Sequence, residues 1–212
     1  MRKAFEFKNL VKIAILAAVA AVLMTFKFPL PFAPSFMTVD FSDVVGLVGG
    51  FALGPISGIL IAGLKNLLNL IINGTLTFGI GEISNFIVSA TFIGIASFIY
   101  DRKKSFKRAI LGMVVGSLAM TSLAIMSNAF VIFPMYAAAM GQNLDFFVKG
   151  AQAINGLVSS YWTLMIFSIA PFNIVKSFMV SVITCLIYKR VSPLLKRESK
   201  KREETKAVEY RR

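Results

Sequence analysis

The sequence predicts an all-α membrane protein, a bundle of six transmembrane helices with the N and C termini cytoplasmic. Three observations predict it. Of 212 residues, 57% are hydrophobic and only 16% charged, where soluble domains carry about 25%. The apolar residues fall in long blocks, and ~20 helical residues rising ~1.5 Å each cross a ~30 Å hydrocarbon core. The charge is lopsided, at +13, and its placement alternates between block ends.

Residues 9–28 form the first span, rich in Ala, Val, Leu and Ile. The following PLPFAPSF cannot stay helical, because each proline lacks an N–H and its ring meets the carbonyl four residues back. Residues 41–53 are apolar but short and stop at Gly54-Pro55. They are kept as a span because short helices are tolerated at membrane depth when protein covers them. Residues 55–73 open on a proline, which suits a first helical position, and end at Asn73-Gly74. Residues 82–100 and 109–133 follow, the latter stopped or kinked at Pro134. The last block, 157–189, contains Pro171; 171–189 is long enough to span alone and 157–170 is not. The first span lacks a small-residue cleavage site, so it reads as a helix that stays in place rather than as a leader.

Of 23 basic residues, 19 lie in three places: the N-terminal 1–12, the 101–108 connection and 189–212. The opposite connections hold only Lys27 and Lys149. Positive residues favour the cytoplasmic side, so both termini and the 101–108 connection are expected there. An even number of spans must then precede residue 101, which supports counting 41–53. The chain divides into a transmembrane domain, 1–190, and a basic cytoplasmic tail, 191–212. The tail suits anionic lipid, and no nucleic-acid partner is expected. With no His and one cysteine, Cys185, His-dependent catalysis, His-ligated metal and internal disulfides are excluded. No catalytic or metal residue is expected, and Cys185 reads as a packing residue.

Charge at mid-membrane costs about 2.5–3.5 kcal/mol per residue and tends to mark function. The polar residues left inside the spans are Asp43, Lys65, Glu82, Asn85, Asn128, Asn173 and Lys176. Glu82 and Asn85 are three apart on one helix face, as are Asn173 and Lys176. All but Lys65 cluster toward the outer half. This suggests a pocket open to the outside and sealed below, not a continuous ion path. A competing reading makes Lys65–Glu82 and Lys176–Asp43 ion pairs that only hold helices together. It explains pairing but not outward clustering. Tyr161 and Trp162, at the outer face, read as an interfacial anchor, or as part of a lid formed by 139–170. Ala14/Ala18 and Ala17/Ala21 are small-residue pairs that permit close helix approach, internally or with a partner.

The order of these features resembles the substrate-binding S components of energy-coupling factor (ECF) vitamin transporters, over most of residues 9–190. The residues that carry the resemblance are the alanine-rich first helix, PLPFAPSFMTVDFSDV, GFALGPISG, KNLLNLIINGTLTFGIGE, FPMY and PFNIVKS. The GFALGP block is common to many S components; KNLL…NGT…GIGE with PFNIVK is closest to the riboflavin-specific group. The resemblance implies a six-helix subunit without ATPase activity in a prokaryotic plasma membrane. It would bind riboflavin, as ligand rather than cofactor, at the outer face. Its implied partners are a transmembrane T component and two cytoplasmic ATP-binding cassette ATPases. Ala14, Ala17, Ala18 and Ala21 map to the docking positions. Lys65, Glu82, Asn128, Asn173 and Lys176 map to the flavin site, with the loop around Phe36, Met37, Thr38 and Asp43 touching or covering the ring.

The residue chemistry agrees. Riboflavin is a neutral flat tricycle with an imide edge and a hydroxylated chain. An Asn amide both donates and accepts, matching an imide. Two lysines against Asp43 and Glu82 leave little net charge, which suits a neutral solute better than a phosphorylated one. An S component for another vitamin, or an ion-coupled carrier of a small neutral solute, meets the same requirements. The second would be expected to show repeats and mid-membrane helix breaks.

Overall fold

The computed structural model describes residues 6–34, 37–75 and 77–209, with side chains up to Tyr188 and at Arg190. The helices follow the apolar blocks. They are α1 (Phe7–Thr25), α2 (Ser42–Leu53), α3 (Pro55–Asn73), α4 (Ile80–Arg102), α5 (Phe106–Ser127), α6 (Phe133–Met140), α7 (Leu144–Gln152), α8 (Tyr161–Leu164) and α9 (Ala170–Glu209). Among the described residues, five stretches are long and apolar enough to cross a membrane: Phe7–Thr25, Pro55–Asn73, Ile80–Arg102, Phe106–Met140 and Tyr161–Tyr188. The twelve-residue α2 is shorter than these. At ~1.5 Å per residue it covers roughly 18 Å, under the ~30 Å hydrocarbon thickness.

The helical architecture carries one small exception. Between α1 and α2, β1 (Phe28–Pro29) pairs antiparallel with β2 (Thr38–Val39), Phe28 opposite Val39. The loop between them tucks inward: Ala33 and Val39 are buried with Phe172 of α9, and Leu30, Phe32, Met37 and Met179 pack around them. The loop between α1 and α2 is therefore fastened to the start of α9.

α2 and α3 form a tight antiparallel hairpin about Gly54, whose φ of 101° suits glycine. Gly50 and Gly58, each four residues from the turn, meet so closely that a Cβ on Gly58 would lie 2.9 Å from the Gly50 Cα. α4 and α5 approach in the same way, with a Cβ on Gly112 falling 2.6 Å from the Ala96 carbonyl oxygen. At the far end from Asp43, Phe51, Tyr100 and Tyr188 stack, and the two tyrosine hydroxyls lie 3.2 Å apart.

Pro134, expected to stop or kink its span, and Pro171 each sit just after a π turn. Neither ends a helix. α5 passes through a π-helical turn, Asn128–Ile132, into α6. α8 passes through a second, Met165–Ile169, into α9. Each π turn ends just before an X-Pro pair, Phe133-Pro134 and Ala170-Pro171. The wider turn accommodates a proline ring that would clash in a regular helix. The stretch Phe106–Met140 is consequently 35 residues where 109–133 gives 25, and the last begins at Tyr161 rather than Pro171.

Candidate functional site

The four buried charges gather where α2, α3 and α9 meet. Asp43 is the hub. Its Oδ1 lies 2.5 Å from Lys65 Nζ and its Oδ2 3.4 Å from Lys176 Nζ. All three side chains are at most 4% exposed. The hairpin explains the first pair: Asp43 and Lys65 each stand eleven residues from Gly54, so they lie at one height. Lys65 also donates to Ser42 Oγ at 2.5 Å. Ser42 donates its hydroxyl to Asp40, and its backbone N–H reaches Asp40 Oδ1 at 2.8 Å. Two carboxylates thus face two ammoniums, and the cluster is formally neutral.

Lys176 extends this network into α4 and α3. It donates to Asn85 Oδ1 at 2.8 Å; Asn85 Nδ2 donates to Asn66 Oδ1 at 2.9 Å; Asn66 Nδ2 is tied to Ala62 O at 2.7 Å. Each amide is oriented, because nitrogen must face a carbonyl or carboxamide oxygen. Lys65 does not pair with Glu82 as the ion-pair reading expected. Helix rotation turns Lys65 to α2, while Glu82 accepts from Thr75 Oγ1 (3.0 Å) and Thr77 Oγ1 (3.2 Å) in the preceding loop. Lys176–Asp43 is present.

Asn128 and Asn173 share a motif. Each Nδ2 donates 2.8 Å to the carbonyl one turn back, Ala124 and Ile169 respectively. That fixes each amide plane and directs Oδ1 away from its own helix. Asn173 is buried one turn before Lys176 on the same face. Met37 and Thr38 are half-buried against the bundle; Phe36 lies outside the described residues.

A cavity of ≈ 280 Å³ opens beside this end of the bundle. Its walls come from Pro34, from Thr77 and Phe78 before α4, from Tyr136 and Met140 of α6, and from α7. It is mostly apolar with a hydroxyl edge, and Thr77 links it to Glu82. Phe78 adopts φ 54°, followed by Gly79 at 81°. A bulky residue in left-handed backbone is strained and held there by its surroundings. None of the described ligand-binding candidates lines this cavity, but Pro34, Thr77, Phe78 and Tyr136 belong to the stretches that carry the family resemblance.

Sequence reasoning missed Asp40, Ser42 and Asn66; the α7 wall falls within 139–170, the segment it offered as a lid. A signal existed for the α3 amides: Asn66, Asn69 and Asn73 recur at spacings of three and four, one helix face. Asn69 and Asn73 continue the polar face, Asn73 Nδ2 reaching Asn69 Oδ1 at 2.8 Å. The alanines of α1 divide. Ala17 and Ala21 are buried inside the bundle, whereas Ala14 and Ala18 lie on the exposed face with Val11, Ile15 and Val22.

Residues 8–188 match the family model described as the substrate-specific component of the ECF transporter. The chain is 36% identical to the riboflavin transporter RibU of Staphylococcus aureus, covering 90% of this chain and 93% of that protein. It is 30% identical to the riboflavin transporter FmnP of Bacillus subtilis, covering 91% and 96%. A solved S component of a bacterial ECF transporter superposes with a TM-score of 0.69 at 34% identity, covering 89% of this chain and 98% of that one.

Proposed function

The chain belongs to the family of substrate-specific components of ECF transporters, and we propose that it captures riboflavin at the outer face of a prokaryotic plasma membrane for an energy-coupling module. The observation that carries the ligand is near-full-length similarity to proteins named riboflavin transporters. The site chemistry supports it: a neutral polar cluster, oriented amides and an adjoining apolar cavity fit a neutral ring with an imide edge. In this reading α2 counts as a sixth span, and both termini and the 101–108 connection face the cytoplasm, where the basic residues lie.

The roles divide by geometry. Asn128, Asn173 and Lys176 meet the polar edge of the ligand, and Glu82 accepts from chain hydroxyls. Met37 and Thr38 cover it, since their strand and loop are fastened beside Asn173; the same role is proposed for Phe36 from the family resemblance alone. Asp43, Lys65 and Asn85 hold Lys176 in place: Lys65 is fully buried and committed to Ser42 and Asp43. Ala14 and Ala18 offer the lipid-side surface to a T component, which carries two ATP-binding cassette ATPases. Ala17 and Ala21 serve internal packing.

Radiolabelled riboflavin uptake into vesicles tests this. Uptake is expected only when T component, ATPases and ATP accompany the chain. Uptake by the chain alone, with a ligand-driven pH change, would replace this account with an ion-coupled carrier.

A further inference from the structure

Pro171 has no N–H, so the carbonyl of Phe167 lacks the donor it would find one turn on. The donor comes from another segment: Asn155 Nδ2 reaches Phe167 O at 3.0 Å. The same side chain accepts the Leu157 N–H on Oδ1 at 3.1 Å, and the Asn155 backbone N–H reaches Ala151 O at 2.8 Å. One residue therefore closes α7, shapes the turn after it, and ties both to the α8–α9 rod. At the first π turn a side chain from another segment also serves a carbonyl, with Tyr161 Oη donating 2.7 Å to Ala129 O, five residues before Pro134.

What Asn155 ties down matters because of what α7 lines. Phe146, Phe147, Gly150, Ala151 and Ile154 form one side of the cavity, facing Tyr136 and Met140 of α6. At its N-terminal end α7 is joined to α6 by a short turn in which Gly141 takes φ 61°. At its C-terminal end the chain runs through Gly156 without helix until Tyr161. Buried Phe147, Val148 and Ala151 hold the middle. The free end of this wall is fixed to the rod by Asn155.

We propose that Asn155 is a positioning residue for the ligand site: its bond to the proline-freed carbonyl of Phe167 holds α7 as a cavity wall and sets how fast bound ligand leaves. The ligand's place at this cavity rests on the function proposed above; the latch does not.

Asn155→Asp tests it, because the carboxylate keeps the acceptor for Leu157 but removes the donor to Phe167; Asn155→Ala removes both. Two readouts are taken on the full chain in detergent: riboflavin release after dilution, followed by flavin fluorescence, and amide exchange across 141–160 without ligand. Both variants are expected to release riboflavin about 3- to 10-fold faster, the factor one hydrogen bond carries. Association stays near wild type, and exchange rises in α7 and not in α3 or α4. Wild-type release and wild-type α7 exchange in Asn155→Asp would overturn the proposal, as would a lower melting temperature with release unchanged. Wild-type protein that binds no riboflavin sinks the ligand reading instead, and α7 exchange then decides the latch by itself.

Discussion

Removing the charge of Asp43 probes the centre of the bundle. Asp43→Asn preserves shape and leaves Lys65 and Lys176 facing each other across a neutral amide, both in protein interior. Asp40 remains, but it reaches Lys65 only through Ser42. Breaking a buried ion pair from one side costs about 3–5 kcal/mol, mostly because the remaining charge is stranded. For a chain of this size that corresponds to roughly 6–20 °C in melting temperature. Unfolding in detergent, followed by Trp162 fluorescence, measures it. Asp43→Asn/Lys65→Met should recover most of the loss, since one carboxylate and one ammonium then remain. A single variant that loses less than about 1 kcal/mol, or a double variant no better than the single, would refute the claim that Asp43 is the shared counter-ion.

Other outcomes follow from the same geometry. Asn173→Ala should weaken riboflavin binding by about 10-fold or more, the loss of one or two hydrogen bonds to ligand, with melting close to wild type; titration checks both. Ala18→Leu should abolish ATP-dependent uptake while leaving binding intact, because Ala18 faces outward; Ala17→Leu should instead lower stability by about 1–3 kcal/mol through overpacking. Gly112→Ala should cost a similar amount, since its Cβ meets the Ala96 backbone, which cannot yield as a side chain would. Tyr161→Phe should lose about 0.5–1.5 kcal/mol by stripping Ala129 O of its hydroxyl donor.

Much of this was legible in the chain. Apolar block length located every long helix, because a bilayer imposes one length scale and forbids unpaired backbone. The buried charges announced themselves, since nothing else excuses Lys65 or Lys176 at such positions. Their partners were less visible. The ion-pair reading gave Lys65 to Glu82, and only the register about Gly54 selects Asp43. Asn66 passed unnoticed because an amide on an apolar helix is cheap and common as interhelical glue. Pro134 and Pro171 left the helix boundaries open for a different reason: proline allows either a stop or a kink, and a π turn just before each absorbs the ring. The alanines of α1 could be listed but not assigned to faces, because every side of that helix is apolar and periodicity carries no contrast. α7 was hidden in a polar connection whose helical character depends on its contacts with Phe133 and Tyr136.

The absorbance of the purified chain tests most directly what the proposed ligand pocket holds. Protein isolated from cells grown with riboflavin should carry a flavin spectrum at one flavin per chain, released on unfolding and diminished in Asn173→Ala and Lys176→Met. Folded protein that is colourless and takes up no added riboflavin in titration would contradict it.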